Sequence, residues 1–129
     1  MAFFEELEVW RDAKTLTLSI YQIMHENHDY GFRDQIQRAS VSIMNNIAEG
    51  SEAGSDSANI RFLHIAKGSC AEVRSMLYLC ADLGYCNPEQ IEVLLSLTRK
   101  ISAYINRLIA YIKSKNVTNI QKTPQSNSI

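Results

Sequence analysis

The chain has 129 residues, the length of one domain, with 13 Lys plus Arg against 14 Asp plus Glu and a formal net charge of −1. Hydrophobic residues at 46% and charged residues at 21% exclude a disordered or fibrous chain, and the near-neutral total excludes a uniformly basic nucleic-acid binder. Only 5 Gly and 2 Pro leave too few tight turns for a sandwich or barrel, so a few long helices are expected.

The start, MAFFEELEVW, is acidic where a signal peptide carries positive charge, and no apolar run approaches the ~20 residues that cross a bilayer. A cytoplasmic protein without membrane association is expected. The first helical period runs Val9, Ala13, Leu16, Ile20 and Ile23. It breaks at the polar stretch His25 to Gly31. Here His25, His28 and Asp29 have metal-ligand spacing if the helix continues, but Asn27 and Gly31 mark its end. A histidine at a helix C-terminus more often compensates the dipole or is solvated, so no metal site is assigned.

The second period is Ile36, Ala39 with Ser40, Ile43 and Ile47, ending at the run GSEAGSDS (Gly50 to Ser57), where Ser55 or Ser57 can cap the next helix. The third is Leu63, Ala66, Cys70, Val73, Leu77 and Cys80. Gly68 inside it costs about 1 kcal/mol relative to Ala. A close crossing against the small residues Ala39, Ser40 and Ser42 is the expected compensation. Gly84 can supply a left-handed cap, Asn87 an N-cap, Pro88 a first helical residue and Gln90 the return arm of a capping box. The fourth period is Ile91, Leu94, Thr98, Ile101, Ile105, Leu108 and Ile112.

After Lys115 the sequence NVTNIQKTPQSNSI loses periodicity, which divides the chain into a bundle domain at 1–116 and a polar, disordered tail at 117–129. Four helices with short connections predict an all-α fold, an antiparallel up-down-up-down four-helix bundle. Cys70, Cys80 and Cys86 are odd in number and lack paired C-x-x-C spacing, so neither a disulfide framework nor a zinc knuckle is suggested.

Two helices carry apolar positions beyond one core seam. The fourth adds Val93, Leu97, Lys100, Tyr104, Arg107 and Tyr111, and the third adds Phe62, Ile65, Ser69, Met76 and Leu83. Either the bundle winds tightly enough to bury both seams, or the second seams are surfaces for self-association. The latter is the expectation.

Residues 32 to 50, FRDQIQRASVSIMNNIAEG, flanked by LEVWRDA, IY and YG and followed by FLHIAKGSCAEV and LGY, resemble the four-helix bundle proteins encoded by intervening sequences in bacterial 23S ribosomal RNA genes. The resemblance spans about residues 7 to 112. It implies a bundle without known enzymatic activity, often assembled as a ring-like homo-pentamer. A related branch is the accessory variability determinant of diversity-generating retroelements, which partners a reverse transcriptase and binds nucleic acid. That branch is strongly basic, and this chain is not.

Arg38, Asn46 and Glu49 match the family pattern. Arg38, Ser42, Asn45 and Glu49 fall within about 60° on a helical wheel, with Asn46 beside them. The stripe is either a recognition strip or an internal hydrogen-bond network anchoring neighbouring helices or subunits, and the structural reading is preferred because charges inside an interface need partners. No nucleophile with its base, no paired carboxylates and no Glu-x-x-His pair point to catalysis or a cofactor.

The near-neutral total conceals polarity. Residues 1 to 92 hold all 14 acids and 7 bases, whereas residues 93 to 129 hold 6 bases and no acid. Arg99, Lys100, Arg107, Lys113 and Lys115, with Tyr104 and Tyr111 interleaved, form a candidate RNA- or DNA-contacting stripe by phosphate pairing and base stacking. The sequence therefore predicts a non-enzymatic homo-oligomeric scaffold for a protein partner, with an accessory nucleic-acid binder as the alternative.

Overall fold

The computed structural model describes residues 3–127, and side chains for residues 3–115. A 3-10 turn (Phe4–Glu6) leads into α1 (Glu8–Met24), α2 (Tyr30–Ser51), α3 (Asp56–Asp82) and α4 (Pro88–Asn127), and no strand occurs among the described residues. The helical backbone of α4 enters the segment 117–129 that composition reads as a tail, and the side chains of that segment lie outside the described residues.

The starts of α2, α3 and α4 fall where the sequence offers side-chain acceptors for otherwise unpaired backbone N–H groups. Asp29 Oδ1 accepts from the Phe32 N–H at 3.3 Å, and Ser55 Oγ from the Ala58 N–H at 3.2 Å. Of the two candidate serines, Ser55 is thus the cap and Ser57 lies inside α3. The box before α4 closes in both directions: the Gln90 N–H donates to Asn87 Oδ1 at 2.8 Å and the Asn87 N–H to Gln90 Oε1 at 3.4 Å. Gly84 takes φ +72°, while the Tyr85 N–H reaches the Cys80 carbonyl and the Gly84 N–H reaches the Ala81 carbonyl. That pair of bonds is a Schellman termination of α3.

Inter-helix pairs run in opposite directions along α2 and α3 and along α3 and α4. Gln35, Ser42 and Gly50 of α2 meet Glu72, Ser69 and Asn59 of α3. Asp56 and Cys70 of α3 meet Lys115 and Thr98 of α4, and Thr17 of α1 meets Ser40 of α2. Each helix packs on its chain neighbours and α4 closes back on α1, with α2 and α3 the most extensively packed pair.

The four predicted seams make the core. Val9, Ala13, Leu16, Ile20, Ile36, Ile43, Ile47, Leu63, Cys70, Val73, Leu77, Ile101 and Ile105 are all buried, and Met24 completes the α1 seam more deeply than Ile23. Burying each large aliphatic side chain contributes about 1.5–3 kcal/mol relative to leaving it in water. Thr98, the polar member of the α4 seam, returns its hydroxyl to the Leu95 carbonyl at 2.6 Å, so its burial leaves no orphan donor.

Gly68 does not mark the close crossing. It is exposed, and a Cβ there would meet nothing within 4 Å. The tight approach is at Gly50, where a Cβ would stand 2.7 Å from Asn59 Oδ1 and 3.1 Å from Phe62 Cβ. The reason is geometric: α2 and α3 converge toward their short connection, so the glycine nearest that connection is the one that needs to be small.

Candidate nucleic-acid interface

The candidate stripe on α4 divides between two sides of the helix. Lys100 turns toward α1, where its ammonium bridges Glu8 Oε1 and Asp12 Oδ2, each at 3.2 Å. Its pKa is raised, first by the hydrogen bond to Asp12 and then by that to Glu8. On the same side the Arg107 guanidinium lies 5.5 Å from the half-buried Tyr104 ring, and Tyr111 stays 64% exposed. Lys115 pairs with Asp56 at 3.5 Å. Lys115 and Tyr111 line a cavity of about 290 Å³ at the α2–α3 end, whose apolar lining includes Ile47, Leu63, Leu108 and Ile112.

Arg99 points the other way and donates to the Tyr78 hydroxyl of α3 at 2.9 Å. Lys113, two heptads further on, shares that side. The structure therefore does not bring the seven stripe residues together. Two of the five cations already hold carboxylates, and the other three divide between an α1-facing and an α3-facing side. Reading α4 in isolation omitted Lys67 and Arg74 of α3. They recur at seven-residue spacing on the flank that meets α4, a pattern legible once the α3–α4 hairpin is drawn as antiparallel.

The second-helix motif also separates. Ser42 Oγ lies 2.8 Å from Ser69 Oγ, and Asn46 Nδ2 donates to the Ser42 carbonyl at 2.8 Å and its hydroxyl at 3.1 Å, a polar seam inside the α2–α3 contact. Arg38, Asn45 and Glu49 are exposed on the outer face of α2, and among the described residues neither Arg38 nor Glu49 has an ion-pair partner. The intrachain network thus takes in Asn46 and leaves the two charges outside it.

His25 follows the end of α1 while Asp29 caps α2, so the two do not share a helix face. His28 instead packs beside Tyr30 with ring centroids 5.9 Å apart. Among the described residues no group of three or more His, Cys, Asp or Glu side chains could hold a metal ion. Burial pushes the Cys70 thiol up to about 11, with the nearby Arg74 charge opposing, and burial likewise pushes Cys80 to about 11. Both thiols are held in the protonated, unreactive form.

The helices and their surfaces define an all-α four-helix bundle protein with a polar motif spread over its second helix. The chain belongs to the 23S rRNA-intervening sequence protein family, whose model matches residues 5–107. It is similar to a crystal structure from Bacteroides thetaiotaomicron described as a protein with unknown function from the S23 ribosomal protein family. The similarity has a TM-score of 0.73 and 26% identity, and it covers 78% of this chain and 97% of that one. No curated protein matches the chain. No described helix is long and apolar enough to cross a membrane.

Proposed function

We propose that this chain is a non-enzymatic assembly protein that self-associates, as the pentamer implied by its family resemblance, and scaffolds a partner in the cytoplasm. The observation that carries the reading is the set of large apolar side chains left in water on outer helix faces. Leu18 and Tyr21 of α1 are 56% and 46% exposed, Ile65 and Leu79 of α3 are 46% and 48% exposed, and Leu83, the C-cap of α3, is 47% exposed. Where such side chains form a contiguous apolar patch, the patch marks a partner site.

The intrachain bundle accounts for part of the second seams. Met76 is buried, Phe62 approaches Gly50, Ser69 meets Ser42, and Leu97 and Tyr104 pack at the edge of the core. Of those seams Ile65, Leu83, Val93 and Tyr111 remain exposed, and together with Leu18, Tyr21 and Leu79 they are the residues assigned to assembly. The protonated thiols support a role without a cysteine nucleophile, and the three free cysteines suit a reducing compartment. Light scattering should give a mass of several 14.6 kDa chains, about five for the pentamer. A mass of one chain would overturn the reading.

A second reading, an accessory nucleic-acid binder, is favoured by the unbroken run from Val93 to the end of the sequence without a carboxylate. Salt-sensitive binding of RNA or DNA by the purified chain tests it.

A further inference from the structure

We infer that the groove between α3 and α4, rather than the α4 stripe alone, is a docking surface for the phosphate backbone of a nucleic acid, held by Lys67, Arg74, Arg99 and Lys113. This rests on the second reading above and assigns its site to a pair of helices.

The pairing of the two helices is fixed by contacts. Cys70 Sγ donates to the Thr98 carbonyl at 3.2 Å, and Arg99 reaches Tyr78 at 2.9 Å. Arg74 is four residues after Cys70 and four before Tyr78, so it shares with them the α4 side of α3. Lys67 is seven residues before Arg74 and occupies the same flank. Arg99 and Lys113 are fourteen residues apart on α4 and share the opposing flank. At 1.5 Å per residue, the cations line a track roughly 20 Å long.

What distinguishes this track from the outer faces of α1 and α2 is that acids are not interspersed among its cations. Among the described residues none of the four cations has an ion-pair partner, whereas Lys100 and Lys115 are already engaged by carboxylates. Between Ser57 and Ala81, α3 has a single acid, Glu72, and it turns away to α2, where it accepts from Gln35 at 3.2 Å. From Val93 onward α4 has no acid at all. Lys67 and Arg74 are half-buried, while Arg99 and Lys113 are exposed.

A linear set of unneutralised cations fits a linear polyanion, and the flexible amine and guanidinium ends suit phosphates more than base edges. Tyr78, half exposed, accepts from Arg99 at 2.9 Å and so holds that guanidinium on the α3-facing flank.

Anisotropy titration of the full chain with a labelled duplex of random sequence tests the site. Four phosphate contacts give a salt slope of about −3.6 in log K against log salt, or a loss of about a hundredfold between 50 and 200 mM. The combined variant Lys67→Gln, Arg74→Gln and Lys113→Gln should lower affinity at least tenfold and flatten the slope by about 3, while Lys100→Gln with Arg107→Gln leaves both near wild type. Wild-type binding that survives the groove variant overturns the groove and leaves nucleic-acid binding standing. No binding by the wild type overturns both. If circular dichroism finds the groove variant unfolded, lysine acetylation of the wild type decides: protection of Lys67 and Lys113 by the duplex supports the site, and unchanged labelling of both overturns it.

Discussion

Tyr85 donates its hydroxyl to Asp29 Oδ2 at 2.7 Å and so ties the α3–α4 connection to the α1–α2 connection across 56 residues of sequence. Asp29 uses its other oxygen to cap α2, and the Tyr85 ring meets Phe32 edge-on at 5.4 Å. One carboxylate therefore fixes a helix start and the approach of two loops at that end of the bundle. The hydrogen bond to Asp29 is the main cause that raises the Tyr85 pKa. Because the folded pKa is raised, this contribution is present below the ordinary tyrosine range and fades as pH climbs through the folded value.

Asp29→Ala removes both bonds, and the lost cap alone costs about 1 kcal/mol. Tyr85→Phe keeps the ring against Phe32 and removes the hydroxyl alone. A double-mutant cycle by urea unfolding should return a favourable coupling between the two positions. Strict additivity would mean that the observed hydrogen bond does not contribute to stability.

Gly68 and Gly50 are expected to respond to alanine in opposite directions. At Gly68 the new methyl enters open space, so Gly68→Ala recovers about 1 kcal/mol of helix propensity. At Gly50 the Cβ meets Asn59 and Phe62, and the resulting overpacking of about 1–3 kcal/mol outweighs the propensity gain. Thermal melts of the two single variants measure the contrast. A rise in Tm for Gly50→Ala would show that the α2–α3 crossing yields to the added carbon.

Alkaline pH should destabilise the fold through its buried thiols. Cys70 and Cys80 are pushed up to about 11 from 9.0, so the unfolded chain releases these protons first. Their stabilising contribution is complete below pH 9 and declines toward pH 11, by about 1.4 kcal/mol per pH unit for each thiol inside that window. Urea midpoints from pH 8 to 10.5 should fall less steeply for Cys70→Ala with Cys80→Ala than for the wild type. Parallel profiles would assign the alkaline loss to Cys86, Tyr85 and Lys100 instead.

Ile65→Glu with Leu79→Glu places charge on two half-exposed α3 positions and should lower the scattering mass while helicity is retained. An undiminished multimer would move the assembly surface to Leu18 and Tyr21 or to the α4 residues.

The helices, their caps and their buried seams were legible because each depends on local spacing. Asn87, Pro88 and Gln90 announce a helix start within four residues, and Leu63 through Cys80 repeats with the period of one helix face. The site was less legible because a cation's role depends on what lies across from it. Lys100 and Arg99 are adjacent in sequence, yet one is neutralised by α1 and the other reaches α3. The same holds for Gly68 and Gly50, which are alike as residues and opposite in surroundings.

The sequence by itself determined an all-α chain, the places where its helices turn and the polarisation of charge toward its C-terminal end, since propensity, periodicity and formal charge are properties of neighbouring residues. Only the tertiary structure decided which charges are paired among the described residues, because helix packing brings Glu8 and Asp12 to Lys100 and brings no carboxylate of those residues to Lys67, Arg74, Arg99 and Lys113. Electrostatic compensation acts through space over a few ångströms, and that distance is set by the packing of one helix on another.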